Sequence, residues 1–582
     1  MGAPPPPLSS SPVPRGGGGC RRHGSRDGGR GNMQRAWLRE FNALGLQLRP
    51  QAASKVSQFL RRCEDPGRMA EALVENTKTY LRSRQGAVEP VIDSDIIQSV
   101  IDCMLEASNG AGGGEDALDA ARQGVEGLDL GDGVHVYNAV TDVRQFDYLR
   151  ATKEWAPSPG RAGVLAACDA KAKIYADRYH LLLQRLLLEG RLVTEAEAMA
   201  GAVLPGQRVL TPVESLVGNP GRKLTFGLLT RLQDEHARRW AIEDVHQLYP
   251  LELDVAQAGH LLTDGSFVLA EGELVGDRFR VARLEVPPAV PRRVSEEKDQ
   301  VPPRAFGGDL TDEQLRLLAA SEPEAPEAMY VVLCEVHLDS ARVLEKLADV
   351  FQGYEATAPP AAYVFMGSFC SVDFLPTAEG VRSYREGFER LKFMMRGLAE
   401  HVKRGTRFVF VPGPRDPGAR TLPRLPLGGY LTSELARDVP GVVMGSNPCR
   451  VRHFGRDLVF FRHDVLRLLR RHEAVPLRDP ATGEAPSAQH VREEMVRFLL
   501  DQAHLVPLPL EESNILWAFD HTLRLYPLPH AVFVGGVSQP FDCTYQESKF
   551  CSVGPFNSDS SFYAYYPFTD QLESCDVPDR AG

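Results

Sequence analysis

No two cysteines in this chain form a C-x-x-C pair. Its ten cysteines are scattered from Cys20 to Cys575. Neither a thiolate zinc site nor a disulfide scaffold is expected, and buried thiols of a reducing compartment are. No apolar run approaches the ~18 residues that a membrane-spanning helix needs. The stretch "VGNPGR" lacks the G-K-[ST] ending and the preceding strand of a phosphate loop. No G-x-S-x-G nucleophile elbow occurs either. Positive charge is also short, with 66 Lys and Arg against 77 Asp and Glu. The net charge of -11 argues against a general nucleic-acid coat and leaves room only for local basic patches.

What is present is ordinary globular material, 43% hydrophobic and 25% charged over 582 residues, enough for roughly three or four domains. Residues 1–33 hold "PPPP", "GGGG" and five Arg against one Asp. They cannot bury a core and are expected to be disordered. No amphipathic face supports a transit peptide there, and Met33 directly precedes the first periodic segment, so residues 1–32 read as an upstream extension. Residues 34–107 are predicted to be a bundle of short helices, with Trp37, Phe41 and Leu44 on one face and Ser94 as an N-cap. The Gly- and acid-rich stretch 108–133 is a flexible linker.

Residues 134–204 are a connecting segment ending in an amphipathic helix with Tyr175, Tyr179, Leu182 and Leu186 along one stripe; His180 reads as a partly exposed helix residue. From 205 to 288 the period falls to two. "KLTFGLLTRLQ", "RRWAIEDVHQ", "YPLELDVAQ", "GSFVLAEGELVG" and "DRFRVARLEV" are predicted strands, with "VGDRF" a hairpin signal. Five such strands suit a small closed barrel of the OB type. Its few aromatics and acidic "EDVHQLYPLELD" favour a structural or protein-binding role over stacking on a nucleic-acid strand. A Pro-rich connector, 289–326, follows. From 327 to 582 apolar strands alternate with amphipathic helices, which predicts a layered α/β domain.

Catalytic groups in such sheets sit where strands end. Here those ends are "CEVH" (334–337), "MGSF" (366–369), "PGPRDPG" (412–418), "FFRHD" (460–464) and "VGGVSQPF" (534–541). The order resembles the calcineurin-like phosphoesterases, whose pattern is D-x-H, G-D, G-N-H-D/E, a lone His, then G-H-x-H. "VYNAV", "RYHLLLQR", "LLTRL", "FVLAEGEL", "SNPCRV", "AHLVPLPL", "WAFDHTLRLYPLP" and, with most specificity, "FVFVPGPRDPG" carry a closer resemblance, to the B (second) subunits of DNA polymerase epsilon. It runs from about residue 34 to the C-terminus.

That resemblance implies a multidomain α/β chain: an N-terminal helical bundle like the lid of AAA+ ATPases, an OB-fold barrel, and a calcineurin-like phosphoesterase domain that has lost its chemistry. It implies a nuclear, non-catalytic scaffold in DNA replication that binds the C-terminal region of the polymerase's catalytic subunit. The other epsilon subunits, the replicative helicase as a candidate neighbour of the helical domain, and DNA reached through the complex complete the implied partners, with no cofactor and no membrane.

Carried over by position, Glu335 and His337 stand at the D-x-H pair, with Asp339 two residues on. Ser368 replaces the bridging acid, Pro414 and Arg415 replace Asn and His, and Asp416 keeps the terminal acid. "GVSQ" (536–539) lacks both late histidines, and His463 is read as chance rather than as the lone His. No metal is expected: Arg415 would repel a divalent ion and pair with Glu335 or Asp416. "RLLRRH" (467–472) and "VKRGTRF" (402–408) are modest basic patches that suit solvated helix faces; near DNA they would make binding salt-dependent. Two alternatives stay open: an active two-metal phosphoesterase or nuclease, and a B subunit of polymerase alpha or delta.

Overall fold

The computed structural model describes residues 133–578 except 150–151, 161, 202, 234–237, 254–259, 480–481 and 537–538, together with a few residues before 133. The chain divides into two units, Met1–Leu128 and Asp129–Gly582. In the first, Ala52, Val56, Leu73, Thr77 and Ile97 are helical and buried. A two-residue parallel pair, Gln47–Leu48 with Val91–Ile92, adds strand where only helix was expected. The rest of the predicted bundle, the disordered extension and the linker lie outside the described residues.

The second unit begins with the strand Val134–Asn138 and the helix Ala170–Leu188. The five predicted barrel strands form as Lys223–Gln233, Arg238–Glu243, Leu248–Glu252, Phe267–Val275 and Arg278–Glu285. Pairing runs from the first through the second, third and fifth to the fourth, which returns to the first and closes the barrel. Two short strands, Leu192–Thr194 and Arg208–Leu210, extend the same sheet in parallel from the first barrel strand. Val275 pairs with Arg278, so the turn is the two residues Gly276 and Asp277. Gly276 takes φ +65°, the left-handed conformation that such a tight turn needs. Tyr179, Leu182 and Leu186 of the preceding helix pack on Phe226, Phe267 and Leu269 of the barrel, while Tyr175, the first residue of the predicted stripe, packs on the sandwich core.

Beyond the connector the chain builds two six-stranded sheets face to face. The first runs Val442–Met444, Arg407–Val411, Ala362–Met366, Tyr330–Cys334, Ser561–Tyr566, Gln571–Asp576; its first four strands are parallel. The second runs Phe541–Tyr545, Ser548–Val553, Ala531–Gly535, Arg456–Arg462, Cys449–His453 and Val134–Asn138. Strand periodicity explains the layers. Tyr330, Val332 and Cys334 meet Leu458, Phe460 and Phe533 between the sheets. Val331 and Leu333 face outward onto Val343, Leu347 and Phe388 of the helices Ala341–Ala356 and Ala378–Arg396. On the other side Val459, Phe461 and Val532 face Val496 and Leu499 of Ala488–Asp501. The result is a four-layered α/β/β/α sandwich.

Four details depart from the expectation. The long helix predicted over 380–404 breaks at Gly397–Leu398 into Ala378–Arg396 and Ala399–Arg404. Val442–Met444 lies parallel in the first sheet; only Cys449–His453 and Arg456–Arg462 form the antiparallel hairpin expected of that cluster. Four strands follow Ala531–Gly535, which was expected to finish the core. Two of them, Phe541–Tyr545 and Gln571–Asp576, are half-exposed sheet edges, where polar residues mask the apolar signal. Finally, Val134–Asn138 pairs with Cys449–His453, so part of the predicted connecting segment belongs to the sandwich.

Arg185 helps hold barrel and sandwich together. It is 1% exposed and donates to the carbonyls of Pro287 at 2.7 Å and of Asp501. Among the described residues no helix is long and apolar enough to cross a membrane.

Candidate functional site

The parallel strands of the first sheet deliver the predicted positions to one end of the sandwich. There they line a cleft of about 740 Å³, walled by Glu335, His337, Pro414, Arg415, Arg462 and His463 among others. Glu335 ends the strand Tyr330–Cys334 and takes φ +56°, a left-handed conformation uncommon for a residue with a Cβ. Its N–H donates to the Met366 carbonyl at 2.9 Å, keeping the chain in register with the next strand.

The Glu335 side chain is 3% exposed and fully committed. Arg462 donates to Oε1 and Arg415 to Oε2. His337 Nε2 lies 2.9 Å from Oε2, and the Ser368 N–H donates to Oε1 at 3.2 Å. Burial alone would push the Glu335 carboxyl up. The His337 hydrogen bond and the Arg462 and Arg415 cations outweigh it and hold the group well below the usual carboxylate range.

Both arginines are themselves fixed. Arg462 also donates to the carbonyls of Gly367 at 2.6 Å and Gly535 at 3.2 Å and pairs with Asp464 at 3.2 Å. Arg415 donates to the Ser371 carbonyl at 3.0 Å and approaches His337 Nε2 at 3.1 Å. The other ring nitrogen of His337, Nδ1, lies 3.0 Å from Nδ2 of Asn557.

Asp416 does not join this cluster. Its carboxylate accepts from the N–H groups of Phe369 at 2.8 Å and Gly413 at 2.7 Å and from the Tyr384 hydroxyl at 2.7 Å. Burial pushes it above the usual range. Asp416 thus braces two strand-end loops, and a Cβ on Gly367 would collide with its Oδ2. Asp339 likewise caps a loop, accepting from the Ser371 N–H at 3.0 Å and from its hydroxyl at 2.6 Å. Ser368 is fully buried. Pro414 lines the cleft without a polar side-chain atom to offer it.

His463 stands in the same wall. Its ring stacks on Phe461 at 5.3 Å between centroids, and burial pushes it down to about 4, so it is neutral near pH 7. Of the two late histidine positions, 537 lies outside the described residues, and Gln539, at the other, accepts from Arg492 at 2.8 Å.

Arg462, Asn557, Tyr384 and Arg424 are not singled out by the sequence motifs. For Arg462 a signal exists. Leu458 and Phe460 point between the sheets, so the same alternation carries Arg462 to the inner face at the strand's end.

A two-metal centre needs a bridging carboxylate and several more oxygen and nitrogen donors around ions ~3.5–4 Å apart. The residues present do not fit one. Both Glu335 oxygens and the near nitrogen of His337 already face guanidinium groups. No cluster of three or more His, Cys, Asp or Glu suited to a metal ion occurs among the described residues.

Comparison with known proteins agrees with the two-part build. Residues 330–543 match the family model for the B subunits of DNA polymerases alpha and epsilon. Residues 168–288 match that of the DNA polymerase epsilon subunit 2-like OB-fold domain, a stretch that takes in the helix Ala170–Leu188. The DNA polymerase epsilon B subunit of Arabidopsis thaliana is 29% identical over 550 residues, covering 92% of this chain and 97% of that protein. DNA polymerase epsilon subunit 2 of Homo sapiens is 28% identical over 558 residues, covering 91% and 98%. The corresponding B subunit of Saccharomyces cerevisiae is 24% identical over 481 residues, covering 70% and 69%. A solved archaeal phosphodiesterase aligns over 43% of this chain and 99% of its own at 7% identity, but a TM-score of 0.22 gives it no weight. With barrel and sandwich each matched, and near-full-length relatives of one kind in plants and animals, the chain belongs to the DNA polymerase epsilon B-subunit family.

Proposed function

We propose that this chain is a non-catalytic accessory subunit of DNA polymerase epsilon, a scaffold for the catalytic subunit in nuclear DNA replication. In this reading the sandwich is an inactivated calcineurin-like phosphoesterase domain. The observation that carries the non-catalytic part is the clamp of Arg415 and Arg462 on Glu335. Two fixed cations stand where divalent ions would have to be held, and their exchange for metal would strip Arg415 of its counter-charge and leave Arg462 with Asp464 alone. The scaffold part rests on the family. The implied partner is the C-terminal region of the catalytic subunit, with the remaining epsilon subunits in the same assembly.

Co-expression with that region of the catalytic subunit tests the scaffold role. A complex that survives gel filtration is expected; a monodisperse chain that ignores this partner at micromolar concentration refutes it. Elemental analysis tests the inactive site. Less than one manganese, zinc or iron ion per chain is expected. Two ions per chain, or manganese-dependent nuclease activity abolished by His337→Ala, would restore the enzymatic reading.

A further inference from the structure

The second sheet of the sandwich ends in an open edge. Phe541–Tyr545 is its outermost strand, paired on one side only, with Ser548–Val553. Tyr545 pairs with Ser548 across Gln546 and Glu547, whose φ angles of +49° and +65° make the tight turn that closes on a hydrogen-bonded pair. Alternation then fixes the rest of the backbone. Phe541, Cys543 and Tyr545 give their N–H and C=O groups to the neighbouring strand. Asp542 and Thr544 turn theirs outward, and both residues are exposed. No proline or bulge interrupts these 5 residues, so the edge lacks two of the devices that keep a strand from pairing further.

In character the strand reads the same in both directions: aromatic, polar, thiol, polar, aromatic in F-D-C-T-Y. A second copy laid antiparallel about a two-fold axis at Cys543 sets Phe541 against Tyr545 and Asp542 against Thr544. The outward N–H and C=O groups of Asp542 and Thr544 then exchange both backbone bonds, and the axis repeats the exchange. Cys543 falls opposite its own copy in a non-hydrogen-bonded pair, where the Cα atoms are about 4.5 Å apart. Aromatic pairs flank it on the face that packs towards the helix Ala488–Asp501. The charges match themselves as well. Lys549 stands beside Thr544 on the same face as Asp542, and among the described residues neither Asp542 nor Lys549 is in an ion pair. Across the axis each Asp542 comes within reach of Lys549 of the other copy.

We propose that Phe541–Tyr545 is a self-association surface, at which two copies of this chain pair antiparallel and join their second sheets into one. The occupant is a second copy rather than an unlike strand because the edge complements itself in backbone register, side-chain type and charge. The inference stands whether or not the chain scaffolds a polymerase.

Sedimentation equilibrium of the full chain under reducing conditions tests this, and a monomer–dimer equilibrium is expected at tens of micromolar. Thr544→Pro should weaken it at least about tenfold, the scale of a lost hydrogen bond that leaves its partner unpaired. The fold should survive that change, because the N–H it removes faces outward. Asp542→Lys should also weaken the dimer, and adding Lys549→Asp should restore it. Diamide, which takes up one hydrogen from each of two thiols as they form a disulfide, should link Cys543 to Cys543 of the second copy, as read by peptide mass mapping. Should the purified chain aggregate, the same mapping on freshly expressed chain decides, and absence of the Cys543–Cys543 peptide refutes the pairing. A monomer at every concentration, a dimer indifferent to Thr544→Pro, or no rescue by the exchanged charges overturns the proposal.

Discussion

Replacing Arg462 with methionine removes the most deeply set member of the cleft. The side chain is 2% exposed and meets a Glu335 carboxylate that is 3% exposed. Methionine fills much of the volume and supplies none of the guanidinium N–H donors. Glu335 is then left buried on Arg415, His337 and one backbone N–H, and the Gly367 and Gly535 carbonyls each lose a donor. Breaking a buried pair from one side costs about 3–5 kcal/mol. Because Arg415 still holds Oε2, the lower end, about 3 kcal/mol, is expected.

The pair should also be coupled. Arg462→Met with Glu335→Gln should cost at least about 1 kcal/mol less than the sum of the single changes. Urea unfolding of the four variants measures both quantities. The pH dependence supplies a further check. The folded-state pKa of Glu335 is depressed, so its contribution is complete above the ordinary value of 4.5 and is lost as pH falls below it. Arg462→Met should reduce that acid-side loss. A cost below about 1 kcal/mol, or strict additivity, would refute the view of Arg462 as the counter-charge of the cleft.

Arg185→Met should loosen barrel from sandwich at a cost of about 3 kcal/mol, because the carbonyls of Pro287 and Asp501 lose a buried donor; hydrogen exchange at Ala289 and Gln502 reads it. Limited proteolysis should cut first within 108–133, where apolar residues are few, and leave barrel and sandwich joined; a first cut between 288 and 327 would count against this. His521 is neutral in the fold, pushed down to about 4 by burial, and its N–H reaches the Val143 carbonyl at 3.1 Å. The unfolded chain protonates it below about 6.5, so its contribution is present above that pH and is lost as pH falls towards 4. His521→Gln should flatten stability over that interval by up to ~1.4 kcal/mol per pH unit, and an unchanged slope in urea titrations would disprove it.

The barrel is legible in the sequence because its strands are local and bounded by polar turns, even though the fourth breaks register at Glu271–Gly272. The cleft is half legible. Glu335, His337 and Arg415 can be placed because each follows an apolar strand of the parallel sheet. Sequence leaves the partner of Arg415 open between Glu335 and Asp416, and the loop geometry decides it by aiming Asp416 at backbone amides. Arg462 is easily missed beside His463, the residue type that a metal motif would call for, although the strand's alternation points 462 inward. Nothing local to "GVHVYN" marks it as part of the sandwich, since its partner strand begins at Cys449.

That strand has a consequence for how the chain must be assembled. Asn138 pairs with Cys449, so about 310 residues, the whole barrel included, are spun out between two neighbours in one sheet. The entropy of closing so long a loop grows only slowly with its length, but the order of events is set by synthesis. The Val134–Asn138 ribbon leaves the ribosome long before Cys449–His453 exists. When the hairpin Cys449–Arg462 forms, its outer backbone groups stay open until that ribbon returns. The barrel is therefore held on both sides by the sandwich, through its second sheet before the barrel and its first sheet after it, as a bead on a closed ring rather than at the tip of a string. A fragment begun at residue 168, where the matched barrel begins, would carry both folds and yet present a bare edge along Cys449–His453, ready to recruit a strand from a second copy.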